Sequence, residues 1–173
     1  MVCAILIKAG LAQVWQNDGY YHFTNLWSSQ TMSDKTRLTG RCMCGAVVIT
    51  GTARDPKVAV CHCDMCRRWS SGPCFEVSCQ EVSFEGEQHI TRIRSSEWAE
   101  RGFCGKCGSN LFYQIIGSDE FQISAGLLDE QDGLKLSLQV FTDRKPSYYT
   151  LADETETMTE AEMFAAYAPA PDR

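Results

Sequence analysis

The sequence predicts an antiparallel, mainly β domain closed by one C-terminal helix. Three observations carry that expectation. Short β-branched or alternating runs recur between turn residues from Leu38 to Phe141. No helical pattern alternates with them, which argues against a βαβ layout. Ten cysteines in 173 residues include two close pairs far apart in the chain, where one metal ion can staple neighbouring hairpins.

Residues 1–31 differ in character from the remainder of the chain. Trp15, Tyr20, Tyr21, Phe23 and Trp27 lie among polar residues with no sustained period of two or 3.6. Met32-Ser33-Asp34-Lys35 then reads like an ordinary polar start. Two accounts stand side by side: an extension from a start codon assigned too early, or a docking segment that packs its aromatics on the domain. The domain proper is expected over 32–173. Gly40–Gly45 forms a tight turn, and Ala46–Thr50 is a β-branched strand ending at Gly51. Val58-Ala59-Val60 is a short strand that delivers the chain to Cys61. A loop over Trp69–Gly72 comes next. Phe75–Cys79 and Glu81–Phe84 alternate as two half-buried strands, and His89–Arg94 alternates with neither face purely apolar. Leu111–Ile116, Phe121–Ser124 and Leu134–Phe141 add three more strands, with turns at Gly86, Gly117-Ser118-Asp119 and Asp129–Gly133. Thr159 and Glu162 have the spacing of a capping box. Met163, Phe164 and Tyr167 form the apolar face of the helix it starts, and Pro169 ends it.

Length and charge bound the function. One domain is expected, since a domain typically takes roughly 100–200 residues. The net charge is −6 and the pI is near 5.1; no basic stripe is visible, which excludes an ordinary nucleic-acid binder. Met1–Ile7 is apolar but lacks a basic n-region, and Lys8 interrupts it, so it does not read as a signal peptide. No run approaches the ~18 apolar residues of a membrane span. A soluble, cytoplasmic, reduced protein is expected, with its cysteines serving metal rather than disulfides.

Cys42-x-Cys44 and Cys104-x-x-Cys107 are natural partners. Gly45, Gly105 and Gly108 flank them, and the tight turn of a zinc knuckle takes a positive φ that glycine adopts without a Cβ clash. Together the two knuckles make a closed four-cysteine zinc site that staples the fold. Cys61, Cys63 and Cys66 can all reach one metal ion. Either a further cysteine such as Cys74 closes this second shell, or the fourth position stays open for an external thiol; the spacing leaves both readings standing. Cys3 and Cys79 have no spacing partner and are expected to be small buried hydrophobes. His62, between two ligands, is expected to point away from the metal.

These motifs resemble the glutathione-dependent formaldehyde-activating enzyme family, which also contains the centromere-protein-V group. The resemblance rests on Gly40-x-Cys42-x-Cys44-Gly45, on Cys61-His62-Cys63-x-x-Cys66-Arg67-Arg68 with Ser71-Gly72-Pro73, and on Phe103-Cys104-x-x-Cys107-Gly108-Ser109-x-Leu111. Ala125–Asp129 and Phe141–Tyr149 echo it further. It implies a β-tent of short antiparallel sheets and two zinc ions, a structural one on Cys42, Cys44, Cys104 and Cys107 and a catalytic one on Cys61, Cys63 and Cys66. It also implies a carbon–sulfur lyase acting on glutathione adducts. Proximity then suggests Arg67 or Arg68 for a glutathione carboxylate, Ser71 and Gly72 for hydroxyl and amide contacts, and Trp69 as a pocket wall. A non-catalytic zinc module that binds a protein partner is the second function class the same residues allow. Cys74 departs from the family, which commonly has an apolar residue there; Pro73 is expected to send the chain into a strand with Cys74 turned from the metal.

Overall fold

A computed structural model describes residues 13–17, 20–24 and 35–167. Gln13–Asn17 (β1) pairs antiparallel with Tyr20–Thr24 (β2). The choice between extension and docking segment for residues 1–31 otherwise lies outside the described residues. The domain continues as Thr36–Arg41 (β3), Val48–Ala53 (β4), Lys57–Cys61 (β5), Asp64–Ser70 (α1), Cys74–Glu85 (β6), Ile90–Arg94 (β7), Ala99–Cys104 (β8), Asn110–Ile115 (β9), Phe121–Ser124 (β10), Lys135–Val140 (β11), Glu156–Met158 (β12) and Glu160–Tyr167 (α2). β3 to β12 form one ten-stranded sheet in the order β12-β11-β5-β6-β10-β9-β8-β7, with β4 on the far half of β6 and β3 beside β4.

The mainly β class and the closing helix are as expected. Thr159 and Glu162 make the capping box: the Thr159 N–H donates to Glu162 Oε2 at 2.7 Å, and the Glu162 N–H returns to Thr159 Oγ1 at 3.3 Å. Met163 buries against the second of two core clusters, with Phe164 and Tyr167 beside it.

The β1–β2 hairpin and β12 are not among the expected elements, and β3 takes Gly40 and Arg41 out of the expected turn; four further features differ from the expectation. β6 is one strand of 12 residues, not two. Glu81 sits at φ 51 within it, and the chain changes partners there. Cys74–Cys79 pairs with β5 and β10, whereas Gln80–Glu85 pairs with β4. Second, β11 lies parallel to both β5 and β12, in a sheet expected to be antiparallel. The chain between β5 and β11 crosses the whole sheet, so the two strands enter from the same end. Third, β8 occupies 99–104, a stretch whose Glu100, Arg101 and Gly102 dilute any strand pattern.

The fourth difference is α1, an unexpected helix; it takes in Trp69 and Ser70 of the expected loop and leaves Ser71 and Gly72 as the turn beyond it. Cys63 caps its start, its sulfur accepting the Cys66 N–H at 3.4 Å. Asp64 in the first turn and Arg67 and Arg68 in the last suit the helix dipole. Ser71 ends it at φ 58, and the Gly72 N–H donates to the Arg67 carbonyl at 3.1 Å. Seven residues are too few to show a 3.6 period.

Two packed clusters flank the sheet. Phe84, Phe112 and Phe121 meet with centroids 5.1–5.6 Å apart in the first, which also holds Cys42 and Cys104. The second holds Cys61, Cys63, Cys66 and Cys74 with Leu138, Val140, Phe141 and Met163. Gly86 lies between the two cysteine knuckles of the first cluster. At φ 76, a Cβ there would lie 1.9 Å from the Ala46 carbonyl oxygen. The 3-10 turn it starts ends at His89, whose carbonyl accepts the Gly105 N–H at 2.7 Å. Gly86→Ala is therefore expected to cost roughly 1–3 kcal/mol in backbone strain alone, with the clash added. A urea midpoint that falls at unchanged slope would show it; an unchanged midpoint would refute it.

Candidate metal and active site

Nine of the ten cysteines lie among the described residues, and all nine are free thiols. Seven of them gather into two sets whose sulfurs all lie within 4.8 Å of one another: Cys42, Cys44, Cys104 and Cys107, and Cys61, Cys63 and Cys66. Sulfur-only donor sets of this kind could hold metal ions.

The four-cysteine set joins the β3–β4 and β8–β9 turns. Cys42 Sγ lies 3.6 Å from Cys44 Sγ, which lies 3.9 Å from Cys104 Sγ. Four sulfurs at about 2.3 Å from a tetrahedral zinc are about 3.8 Å apart, so the spacing fits. Gly45 at φ 73 and Gly108 at φ 78 turn the two knuckles as expected, whereas Gly105 does not take a positive φ. The Val47 N–H donates to Cys42 Sγ at 3.3 Å. Hydrogen bonds from the Ser109 hydroxyl and then its N–H hold the Cys107 thiol at about 5. Cys44 is exposed and Cys107 half-buried, so water reaches this set.

The trio is built differently. β5 ends on Cys61, Cys63 caps α1, and Cys66 lies one turn on, all three at most 1% exposed. His62 turns away, as expected. It is fully buried, with Nε2 3.1 Å from Gln139 Oε1 and Nδ1 2.7 Å from the Tyr149 hydroxyl. Gln139 gives its own NH2 to Thr155 Oγ1 at 2.9 Å. With Gln139 Oε1 as acceptor, His62 Nε2 donates and Nδ1 accepts from Tyr149. Burial lowers the His62 pKa, which keeps the ring neutral in this role.

Cys74 does not turn away. Antiparallel register places it directly opposite Cys61, and paired residues project from the same face of a sheet. Its thiol donates to Glu76 Oε1 at 3.2 Å and touches Cys66, which together with burial raises its pKa far above the usual thiol range. It still lies outside the set of mutually close sulfurs. Phe75 emerges on the opposite, exposed side, as expected. Cys79, also buried, has its thiol pushed up to about 12 by burial and then by Glu120.

The residues expected to contact glutathione are distributed unevenly. Arg67 is half-buried and already engaged: its Nε donates to the His62 carbonyl at 2.9 Å, and its guanidinium pairs with Asp64. Arg68 and Ser71 are exposed, and nothing lies within 4 Å of a Cβ built on Gly72. Trp69 packs edge-on to Phe103, centroids 6.1 Å apart, and its carbonyl accepts from Asn110 at 2.8 Å.

Two side chains beside the trio carry no signal in the sequence. Arg101 is 1% exposed; its Nη2 donates to Cys66 Sγ at 3.3 Å and its Nη1 to Ser95 Oγ at 2.7 Å. Glu76 is 2% exposed, and its Oε2 has no hydrogen-bond partner. Burial and then the Cys66 thiol push its pKa well above the ordinary carboxylate range. Both sit in strands whose alternate positions read as a solvent face, and nothing local marks them as covered.

The geometry defines a class: a mainly β domain carrying one four-sulfur and one three-sulfur cluster. Residues 37–144 match the family described as glutathione-dependent formaldehyde-activating enzyme. The chain belongs to that family. It is 33% identical over 126 residues to an uncharacterized lyase of Schizosaccharomyces pombe, covering 72% of this chain and 92% of that protein. A crystal structure of a Rhodobacter sphaeroides protein aligns at a TM-score of 0.45 with 20% identity, over 57% of this chain and 99% of that one. Among the described residues no helix is long and apolar enough to cross a membrane.

Proposed function

We propose that this protein is a zinc-dependent carbon–sulfur lyase acting on glutathione adducts, for example in the reversible combination of formaldehyde and glutathione to S-hydroxymethylglutathione. The observation that carries the reading is the trio: three sulfurs within 4.8 Å of one another, in a chain of this family. Zinc bound there would supply Lewis acidity and favour the thiolate form of an incoming thiol. In the forward direction the glutathione sulfur bonds to the aldehyde carbon, and the thiol proton passes to the aldehyde oxygen. No oxidant or reductant enters; the reverse step breaks the same C–S bond.

Cys61, Cys63 and Cys66 supply three donors and leave the fourth to substrate. Arg68, exposed in the last turn of α1, is offered to a carboxylate of the tripeptide. Arg67 reaches one only by giving up Asp64. Trp69 walls the same side, and the open space at Gly72 leaves room for a ligand's backbone. A second reading, a non-catalytic zinc module that binds a protein partner, is favoured by one observation: the trio is fully buried with Cys74 alongside it.

A metal count with a glutathione titration separates the two. The lyase reading expects two zinc ions and one glutathione per chain, with formaldehyde-dependent formation of the adduct. Two zinc ions with no glutathione binding would favour the interaction module.

A further inference from the structure

Arg101 is the only lysine or arginine buried among the described residues, and it touches the trio. Its guanidinium is held from several sides. Nη2 meets Cys66 Sγ at 3.3 Å; Nη1 meets Ser95 Oγ at 2.7 Å and Met65 Sδ at 3.3 Å. The rings of Tyr113 and Trp69 lie 5.0 and 5.9 Å from its central carbon. A flat cation set over aromatic rings and hydrogen-bonded at both of its NH2 groups has its orientation fixed as well as its position.

Charge gives this placement a purpose. Three thiolates around a divalent metal carry a net charge of about −1, and an uncompensated charge in a buried site is costly. Glu76, also facing this cluster, has one carboxylate oxygen engaged by the Cys74 thiol at 3.2 Å. Arg67 is already paired with Asp64. The four-cysteine set, with exposed Cys44, has water to screen it and no comparable buried cation among the described residues.

We propose that Arg101 is a positioning residue for the trio: it supplies the buried counter-charge of a three-thiolate metal centre and, by hydrogen-bonding Cys66, makes that sulfur the weakest donor of the three. This deepens the proposed function and rests on its reading of the trio as a metal site. A weakened Cys66 leaves the metal a stronger Lewis acid. A compensated centre also accepts a fourth, substrate thiolate without building up a charge of −2.

Cobalt-loaded full-length protein tests this independently of turnover. The wild type should bind two cobalt ions per chain. Arg101→Met should weaken the second site about 10–100-fold in competition with a chelator, the usual effect of removing a group bonded to a metal ligand. The sulfur-to-cobalt charge-transfer band should move to lower energy as Cys66 becomes a better donor. Arg101→Lys should recover most of the affinity, because the charge is restored. If Arg101→Met does not fold, Arg101→Gln, which removes the charge but keeps a polar side chain, is read against the same criteria. Affinity within about twofold of wild type and an unmoved band would overturn the proposal. So would an Arg101→Lys variant as weak as the neutral ones, which would mark a packing role. One cobalt per wild-type chain would instead sink the metal-site reading on which the proposal stands.

Discussion

Cys107→Ser is expected to give protein that does not fold, and Cys104→Ser the same. The four-cysteine set ties the β3–β4 turn to the β8–β9 turn. Beside it, the Met43 N–H reaches across to Ser109 Oγ at 3.1 Å, a hydrogen bond at an exposed position. A structural zinc contributes on the order of 10 kcal/mol of apparent binding free energy, comparable to the whole stability of a typical domain at about 5–15 kcal/mol. Losing one thiolate also leaves the other three sulfurs crowded without a counter-ion. The expected readout is insoluble protein, or soluble protein with no cooperative melting transition. A folded Cys107→Ser variant with a near-native melting temperature would show that packing alone holds the knuckles together.

Cys63→Ser should do the opposite: fold, lose one of two zinc equivalents, and lose glutathione-dependent formaldehyde turnover. The trio is enclosed by apolar partners whose packing on one another does not depend on the sulfurs alone, namely Leu138, Val140, Phe141 and Met163. Serine can still cap α1 by accepting the Cys66 N–H, as Cys63 does at 3.4 Å, and serine is among the preferred caps. Cys74→Ala is the companion measurement. Cys74 touches Cys66 yet lies outside the close sulfur set, so the variant should keep both zinc ions and most of its turnover. Loss of one zinc equivalent in Cys74→Ala would mean a closed four-thiolate site and would shift the reading to a binding module. Equal unfolding of Cys63→Ser and Cys107→Ser would erase the division of labour between the two clusters.

Much of the site is legible in the sequence because metal ligation leaves a spacing signature. Cys42-x-Cys44, Cys104-x-x-Cys107 and the Cys61–Cys66 trio each lie within a short stretch of chain, where local geometry alone brings sulfurs together. Gly45 and Gly108 mark the turns that aim them. The same holds for the helix started by Thr159 and Glu162 and for strands with clean alternation such as Phe121–Ser124.

What local sequence cannot hold is register and coverage. Pro73 and a strand start suggest a Cys74 facing away from the trio, but they say nothing about which partner residue stands opposite. Pairing with Cys61 decides it, across a helix and the turn beyond it. β11 is recognisable as a strand, but its parallel direction depends on where the intervening chain crosses the sheet. Arg101 and Glu76 occupy alternate strand positions that look solvent-facing until the rest of the fold covers them. By itself the sequence determined the cysteine sets, the mainly β class and the family, all encoded by neighbours in the chain. The tertiary structure alone decided which buried charge meets which sulfur, because those partners lie on elements far apart in sequence and meet only through the sheet.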